Sequence, residues 1–121
     1  MNVGRMSRNQ GNDTLSGDRG NDTIYGGTSD RLINDTNGRD LLFGASGDDL
    51  INANQGDDTL FGDEANDTVR GGQNHDIVSG GAGDDLLLGG NGNSIPIGAN
   101  GERDWLCGGG NDLLSANEAE D

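Results

Sequence analysis

A chain of 121 residues with 24 glycines, 29% hydrophobic and 3% aromatic residues lacks the material for the thick mixed core usual at its length. Its formal net charge of −15, with arginine as the only basic residue besides one histidine, excludes nucleic-acid phosphates and anionic membrane surfaces as natural partners and favours cations. A single cysteine, Cys107, excludes an internal disulfide, and no apolar stretch is long enough to span a bilayer as a helix.

Residues 1–7 read as a lead-in. The stretch from Met1 to Gln10 carries arginines but no apolar run, so it does not read as a cleavable secretory signal. From Arg8 the chain repeats every nine residues: RNQGNDTLS, GDRGNDTIY, GGTSDRLIN, DTNGRDLLF, GASGDDLIN, ANQGDDTLF, GDEANDTVR, GGQNHDIVS, GGAGDDLLL and GGNGNSIPI. Two imperfect units follow, one a residue longer and one a residue shorter, so that residues 8–115 make twelve units. Residues 116–121 form an acidic tail.

Three columns define the unit. Position 4 is glycine in nine of the twelve, among them Gly20, Gly38, Gly47, Gly56 and Gly83. Position 6 is aspartate in ten: Asp13, Asp22, Asp40, Asp49, Asp58, Asp67, Asp76, Asp85, Asp104 and Asp112. Position 8 is aliphatic in all but one unit, where Pro96 stands. Glycine, asparagine and aspartate at positions 1–6 predict a turn, because these residues tolerate positive φ. Positions 7–9 predict a short strand whose position 8 faces inward. Apolar residues at the outward positions, such as Leu41, Phe43, Phe61, Ile97 and Trp105, have no evident partner in this scheme.

The unit GGAGDDLLL resembles the RTX, or haemolysin-type, nonapeptide GGxGxDxUx, and the resemblance covers about nine-tenths of the chain. It implies an all-β, right-handed parallel β-roll in which two nonapeptides make one turn, about six turns in all, with Ca²⁺ held between loops two repeats apart. The ligands it implies are the position-6 aspartates and backbone carbonyls near the loop glycines, an all-oxygen set suited to calcium. Like-sided loops are eighteen residues apart. Asp22, Asp40, Asp58 and Asp76 therefore give three pairs on one side, and Asp49, Asp67, Asp85 and Asp104 give three on the other, about six calcium sites together. Gly20, Gly38, Gly47, Gly56 and Gly83 mark the adjoining loop backbone. Asp13 and Asp112 are weaker candidates, because Arg31 and Ser94 interrupt their columns.

Departures from the pattern carry their own expectations. Ala65 and Asn74 replace the position-4 glycine; if that position needs positive φ, alanine is the more strained of the two. Arg39, beside Asp40, is placed to repel an ion. Residues 91–110 are irregular, and Asn93, Ser94 and Pro96 predict a broken turn without an ion. His75, the only histidine, has no converging partners for catalysis or zinc. Cys107 reads as an incidental strand-end thiol, and Trp105 as a packing residue. The pairs Asp48-Asp49, Asp57-Asp58 and Asp84-Asp85 read as solvated loop acids that ligate calcium, not as a glycosidase pair. Thr14, Thr23, Thr59 and Thr68 do not form the unbroken column an ice-binding face requires.

These features predict a calcium-binding module that is not an enzyme and that folds on meeting extracellular Ca²⁺. The resemblance adds an origin in type I secretion. The alternatives are a structural spacer or adhesin segment, or the carrier domain of a secreted protease, lipase or epimerase. End-to-end self-association and fusion to an effector domain are the protein partnerships expected.

Overall fold

The computed structural model describes residues 5–6, 14–17, 19–28, 32–97 and 105–110. Among these residues twelve strands follow one another: β1 Arg5–Met6, β2 Thr14–Leu15, β3 Thr23–Gly27, β4 Leu32–Asn34, β5 Leu41–Ser46, β6 Leu50–Gln55, β7 Thr59–Glu64, β8 Thr68–Gln73, β9 Ile77–Ala82, β10 Leu86–Asn91, β11 Ile95–Ile97 and β12 Trp105–Gly109. Odd strands form one six-stranded sheet in the order β1-β3-β5-β7-β9-β11, and even strands form a second in the order β12-β10-β8-β6-β4-β2. Every pairing is parallel. Between β3 and β11 the partners are eighteen residues apart, as in Leu42↔Leu60 and Ile51↔Val69. The chain is thus a β-solenoid in which each nonapeptide crosses to the opposite sheet. The described residues make about five turns, where the repeat count predicts six.

The core is a single ladder from each sheet. Ile24, Leu42, Leu60 and Val78 come from odd strands and Ile33, Ile51, Val69 and Leu87 from even ones, all at position 8 and all fully buried, with Ala53 among them. One inward aliphatic per nonapeptide suffices because the neighbours above and below cover it, as in other stacked-repeat folds.

Strands are longer than positions 7–9. From β5 to β10 each runs six residues, through position 3 of the next unit. Backbone at position 2 takes positive φ within the strand: Ala45 at 80°, Asn54 at 73° and Asp63 at 81°, alongside Gly72, Gly81 and Gly90. Position 4 does the same, including Ala65 at 86° and Asn74 at 82°. A left-handed alanine is strained by about 1–2 kcal/mol relative to its ordinary conformations. Ala65→Gly is therefore expected to stabilise the calcium-loaded protein by about 1 kcal/mol, raising its melting temperature by roughly 3–5 °C. A melting temperature that stays put or falls would mean that the loop does not strain its alanine.

Outward apolar residues find partners along the stack. Tyr25, Phe43 and Phe61, all at position 9 of odd-strand units, lie face to face with ring centroids 4.8 and 5.0 Å apart. The exposure left open by the sequence is thus partly covered by stacking between turns. Trp105 is 71% exposed, so it does not pack as the sequence predicts.

Of the expected break at residues 91–103, residues 98–103 lie outside the described residues, and residues 91–97 show no break. β11 stays in register with β9, and Pro96 is paired opposite Val78 at the sheet edge, where a missing N–H is tolerated. The irregularity falls between β10 and β12, whose partners are nineteen residues apart at Leu86↔Trp105 and eighteen at Asn91↔Gly109. Pairing also begins before the first full unit, since Arg5 and Met6 sit opposite Thr23 and Ile24.

Candidate metal centre

Alternation along each strand decides what the loops bury. Position 8 faces inward, so positions 6 and 1 of the same phase do too. The position-6 aspartates are accordingly interior: Asp22, Asp40, Asp49, Asp58, Asp67, Asp76 and Asp85 are only 1–3% exposed. This corrects the expectation of solvated loop columns. Position 1 must then be small. A Cβ on Gly44 would lie 2.6 Å from Asp49 Oδ2 and 2.7 Å from Gly62 O, so a carboxylate and a carbonyl oxygen face the same gap.

The carboxylates form two ladders, one along each edge of the flattened coil. In each, the backbone N–H of one aspartate donates to Oδ1 of the aspartate eighteen residues on. The bonds run Asp22 to Asp40 (2.8 Å), Asp40 to Asp58 (2.8 Å) and Asp58 to Asp76 (3.0 Å) on one edge. On the other they run Asp49 to Asp67 and Asp67 to Asp85, both 2.8 Å. Five of the six pairs named from the sequence are thus stacked with a shared geometry. The sixth, Asp85 with Asp104, lies outside the described residues, as do Asp13 and Asp112. Gly20, Gly38, Gly47, Gly56 and Gly83 all have positive φ in the adjoining loops. At Ser94 the ladder continues without charge: its Oγ accepts the Asp76 N–H and donates to Gly89 O, each at 3.3 Å.

Oδ1 of Asp40, Asp58, Asp67 and Asp76 is engaged this way. Oδ2 of Asp40, Asp58, Asp67 and Asp76 is buried with no hydrogen-bond partner. Burial pushes the carboxyls of Asp58 and Asp67 up to about 7 and that of Asp76 to about 6. The backbone N–H of the preceding turn's aspartate pulls each down, while carboxylates in neighbouring turns push Asp58 and Asp67 up further. Asp40 is raised for the same leading reason. Buried, unpartnered anionic oxygens in register are destabilising by themselves. A hard cation with a preference for oxygen relieves them, so the donor set fits Ca²⁺.

The side chains of each acidic doublet diverge. Asp48, Asp57 and Asp84 are exposed while Asp49, Asp58 and Asp85 are buried, so the doublets do not face one cleft. The exposed position-5 residues make an outer ladder that the sequence reading missed. Arg39 N–H donates to Asn21 Oδ1, His75 N–H to Asp57 Oδ1 and Asn93 N–H to His75 Nδ1. On the opposite edge Asn66 N–H donates to Asp48 Oδ1 and Asp84 N–H to Asn66 Oδ1. Arg39 points outward to Asp57 at 3.4 Å, away from the inner carboxylates it was expected to disturb.

Asp35 is the second omission. It occupies position 1, where the other described units carry glycine or alanine, and it is fully buried. Asp22, Asp35 and Asp40 each offer a carboxylate oxygen, all within 4.8 Å of one another. The signal was a lone acid in a column of small residues, five places before a ligand candidate.

Comparison with known proteins agrees with this architecture. A family model described as the RTX calcium-binding nonapeptide repeat (4 copies) matches residues 8–30, 34–69 and 61–96. No curated protein and no solved structure matches the chain. Among the described residues no helix is long and apolar enough to cross a membrane.

Proposed function

The chain belongs to the RTX calcium-binding nonapeptide repeat family, and from that premise we propose that it is a non-catalytic module whose solenoid assembles when Ca²⁺ enters the stacked turns, outside the cell. The observation that carries this reading is the set of buried Oδ2 atoms with no hydrogen-bond partner, on Asp40, Asp58 and Asp76 in one ladder and on Asp67 in the other. The ions would be held by Asp22, Asp40, Asp58 and Asp76 on one edge and by Asp49, Asp67, Asp85 and Asp104 on the other, with loop carbonyls completing the shells, about six ions in all. Calcium supplies the positive charge that lets these carboxylates ionise in the interior, so its binding free energy becomes folding free energy. Extracellular calcium modules work at about 10⁻⁴–10⁻³ M, a range that keeps such a chain open in a cytosol and closed outside, as export before folding requires.

Calorimetric titration with CaCl₂ at pH 7.5, followed in parallel by far-UV circular dichroism, tests the proposal. Heat and β signal are expected to develop together. Asp67→Asn sharpens the test, because Asp67 belongs to two stacked pairs and asparagine keeps an acceptor for the Asp49 N–H. The variant should take up about two fewer ions, since each site relies on carboxylate charge. Its metal-free form should be more structured than the wild type at pH 7.5, because a buried acid has become neutral. An unchanged stoichiometry would remove Asp67 from the ligand set, and a wild-type chain that takes up no calcium would end the proposal.

A further inference from the structure

Eight of the described units place a residue at position 1 with little or no side chain: Gly17, Gly26, Gly44, Ala53, Gly62, Gly71, Gly80 and Gly89. The ninth places Asp35 there. Its backbone N–H donates to Asn52 O at 2.9 Å, and its Oδ1 accepts the Thr36 N–H at 2.7 Å. Its carbonyl oxygen accepts from Asn54 Nδ2. These bonds fix the loop that joins β4 to β5 and hold the carboxylate in the interior.

The other oxygen of Asp35 reaches across to the turn before. A Cβ on Gly17 would collide with Asp35 Oδ2 and lie 2.8 Å from Asp22 Oδ2, so the bare glycine leaves the space in which these two oxygens meet. Asp40, 2% exposed, supplies the third carboxylate, and its own Oδ2 is buried with no hydrogen-bond partner. No other group of three potential metal ligands gathers this closely among the described residues. Elsewhere an ion between turns would meet two inward carboxylates; here it would meet three.

We propose that Asp35 joins Asp22 and Asp40 as a third carboxylate ligand, making this the tightest calcium site of the chain and the first to fill. The inference rests on the calcium-binding reading above. Two carboxylates neutralise one Ca²⁺, whereas three leave a net negative site, and the affinity of oxygen sites for calcium rises with the charge of their ligands. The same three charges repel most strongly without the ion. This turn is therefore the one whose closure depends most on metal, and once closed it offers both flanking turns an ordered edge to pair against.

The test is a calorimetric calcium titration of the full chain at pH 7.5 for wild type, Asp35→Gly and Asp35→Asn. Glycine restores the residue common at position 1; asparagine keeps the volume and removes the charge. In the wild type one ion is expected to bind at least tenfold more tightly than the rest. Both variants should lose that class, its affinity falling tenfold or more, while the remaining ions bind as before. Asp67→Asn, on the opposite edge, should leave the tight ion in place. If Asp35→Gly does not reach the wild-type β signal at saturating calcium, Asp35→Asn decides by the same titration. A wild type with one uniform class of sites, or a variant that retains the tight ion, overturns the proposal while leaving the general calcium reading intact. A wild type that binds no calcium overturns both.

Discussion

Stripped of calcium at pH 8, the chain is expected to lose its β signal, and to regain it either with millimolar Ca²⁺ or, in part, by acidification to about pH 5. The direction of the pH effect follows from burial. Asp58 and Asp67 titrate near 7 and Asp76 near 6 in the folded chain, against an ordinary value of 3.8. Between roughly pH 4 and 7 the folded state therefore holds more protons than the unfolded state, and stability falls as pH rises through that window. This is the reverse of a salt-bridged aspartate, whose contribution is lost on acidification. Below about pH 4 both states are protonated and the penalty vanishes; above about pH 7 it is complete. Calcium and protons then compete for the same oxygens. Binding at pH 6.5 should release protons and need more calcium than at pH 8, measurable by calorimetry in buffers of different ionisation enthalpy. A metal-free chain that keeps its full β signal at pH 8, or that unfolds further on mild acidification, would contradict the account.

Leu60→Ala should be the most damaging single change in the apolar ladder. Leu60 is fully buried and sits in register between Leu42 and Val78, in the middle of the stack. Truncating a buried leucine destabilises by about 2–5 kcal/mol, more where the surroundings cannot collapse into the gap. Collapse is restricted here because the parallel hydrogen bonds of both sheets fix the distance between turns. The melting temperature at saturating calcium should fall by roughly 10 °C. The calcium midpoint should move far less, about two- to threefold, if a loss near 3 kcal/mol is shared among the roughly six ions proposed above. Leu50→Ala is the contrast. Leu50 is 46% exposed on an outward face, and its loss should amount to less than about 1 kcal/mol. Equal effects of the two substitutions on thermal melting would show that the position-8 ladder is not the core.

The repeat length and the inward phase of position 8 were legible because they recur, and recurrence averages out the degenerate copies; the eighteen-residue register was implied by the resemblance to the RTX family. Ala65 and Asn74 show how far that reasoning reaches: their left-handed backbones were inferable from glycine in the same column. The phase of position 6 was missed for a chemical reason. An aspartate in a glycine-rich stretch reads as solvated, yet positions 6, 8 and 1 alternate with outward residues along one strand, and geometry overrides polarity there. Asp35 escaped because a column analysis weights what repeats, and its importance lies in not repeating. The hydrogen bonds of Asp57, His75 and Asn93 were invisible in sequence because they join exposed side chains to backbone one turn away, a contact that hydrophobic patterning does not encode.

The alternation of successive nonapeptides between two sheets sets an arithmetic for how such a chain can change length. Gaining or losing one nonapeptide would transpose everything downstream to the opposite sheet, parting Phe43 from Phe61 or Asp49 from Asp67 and matching unlike columns instead. Gaining or losing two restores every downstream residue to its own face, one storey higher or lower. The heritable building block is thus eighteen residues long, although the motif that announces it is nine.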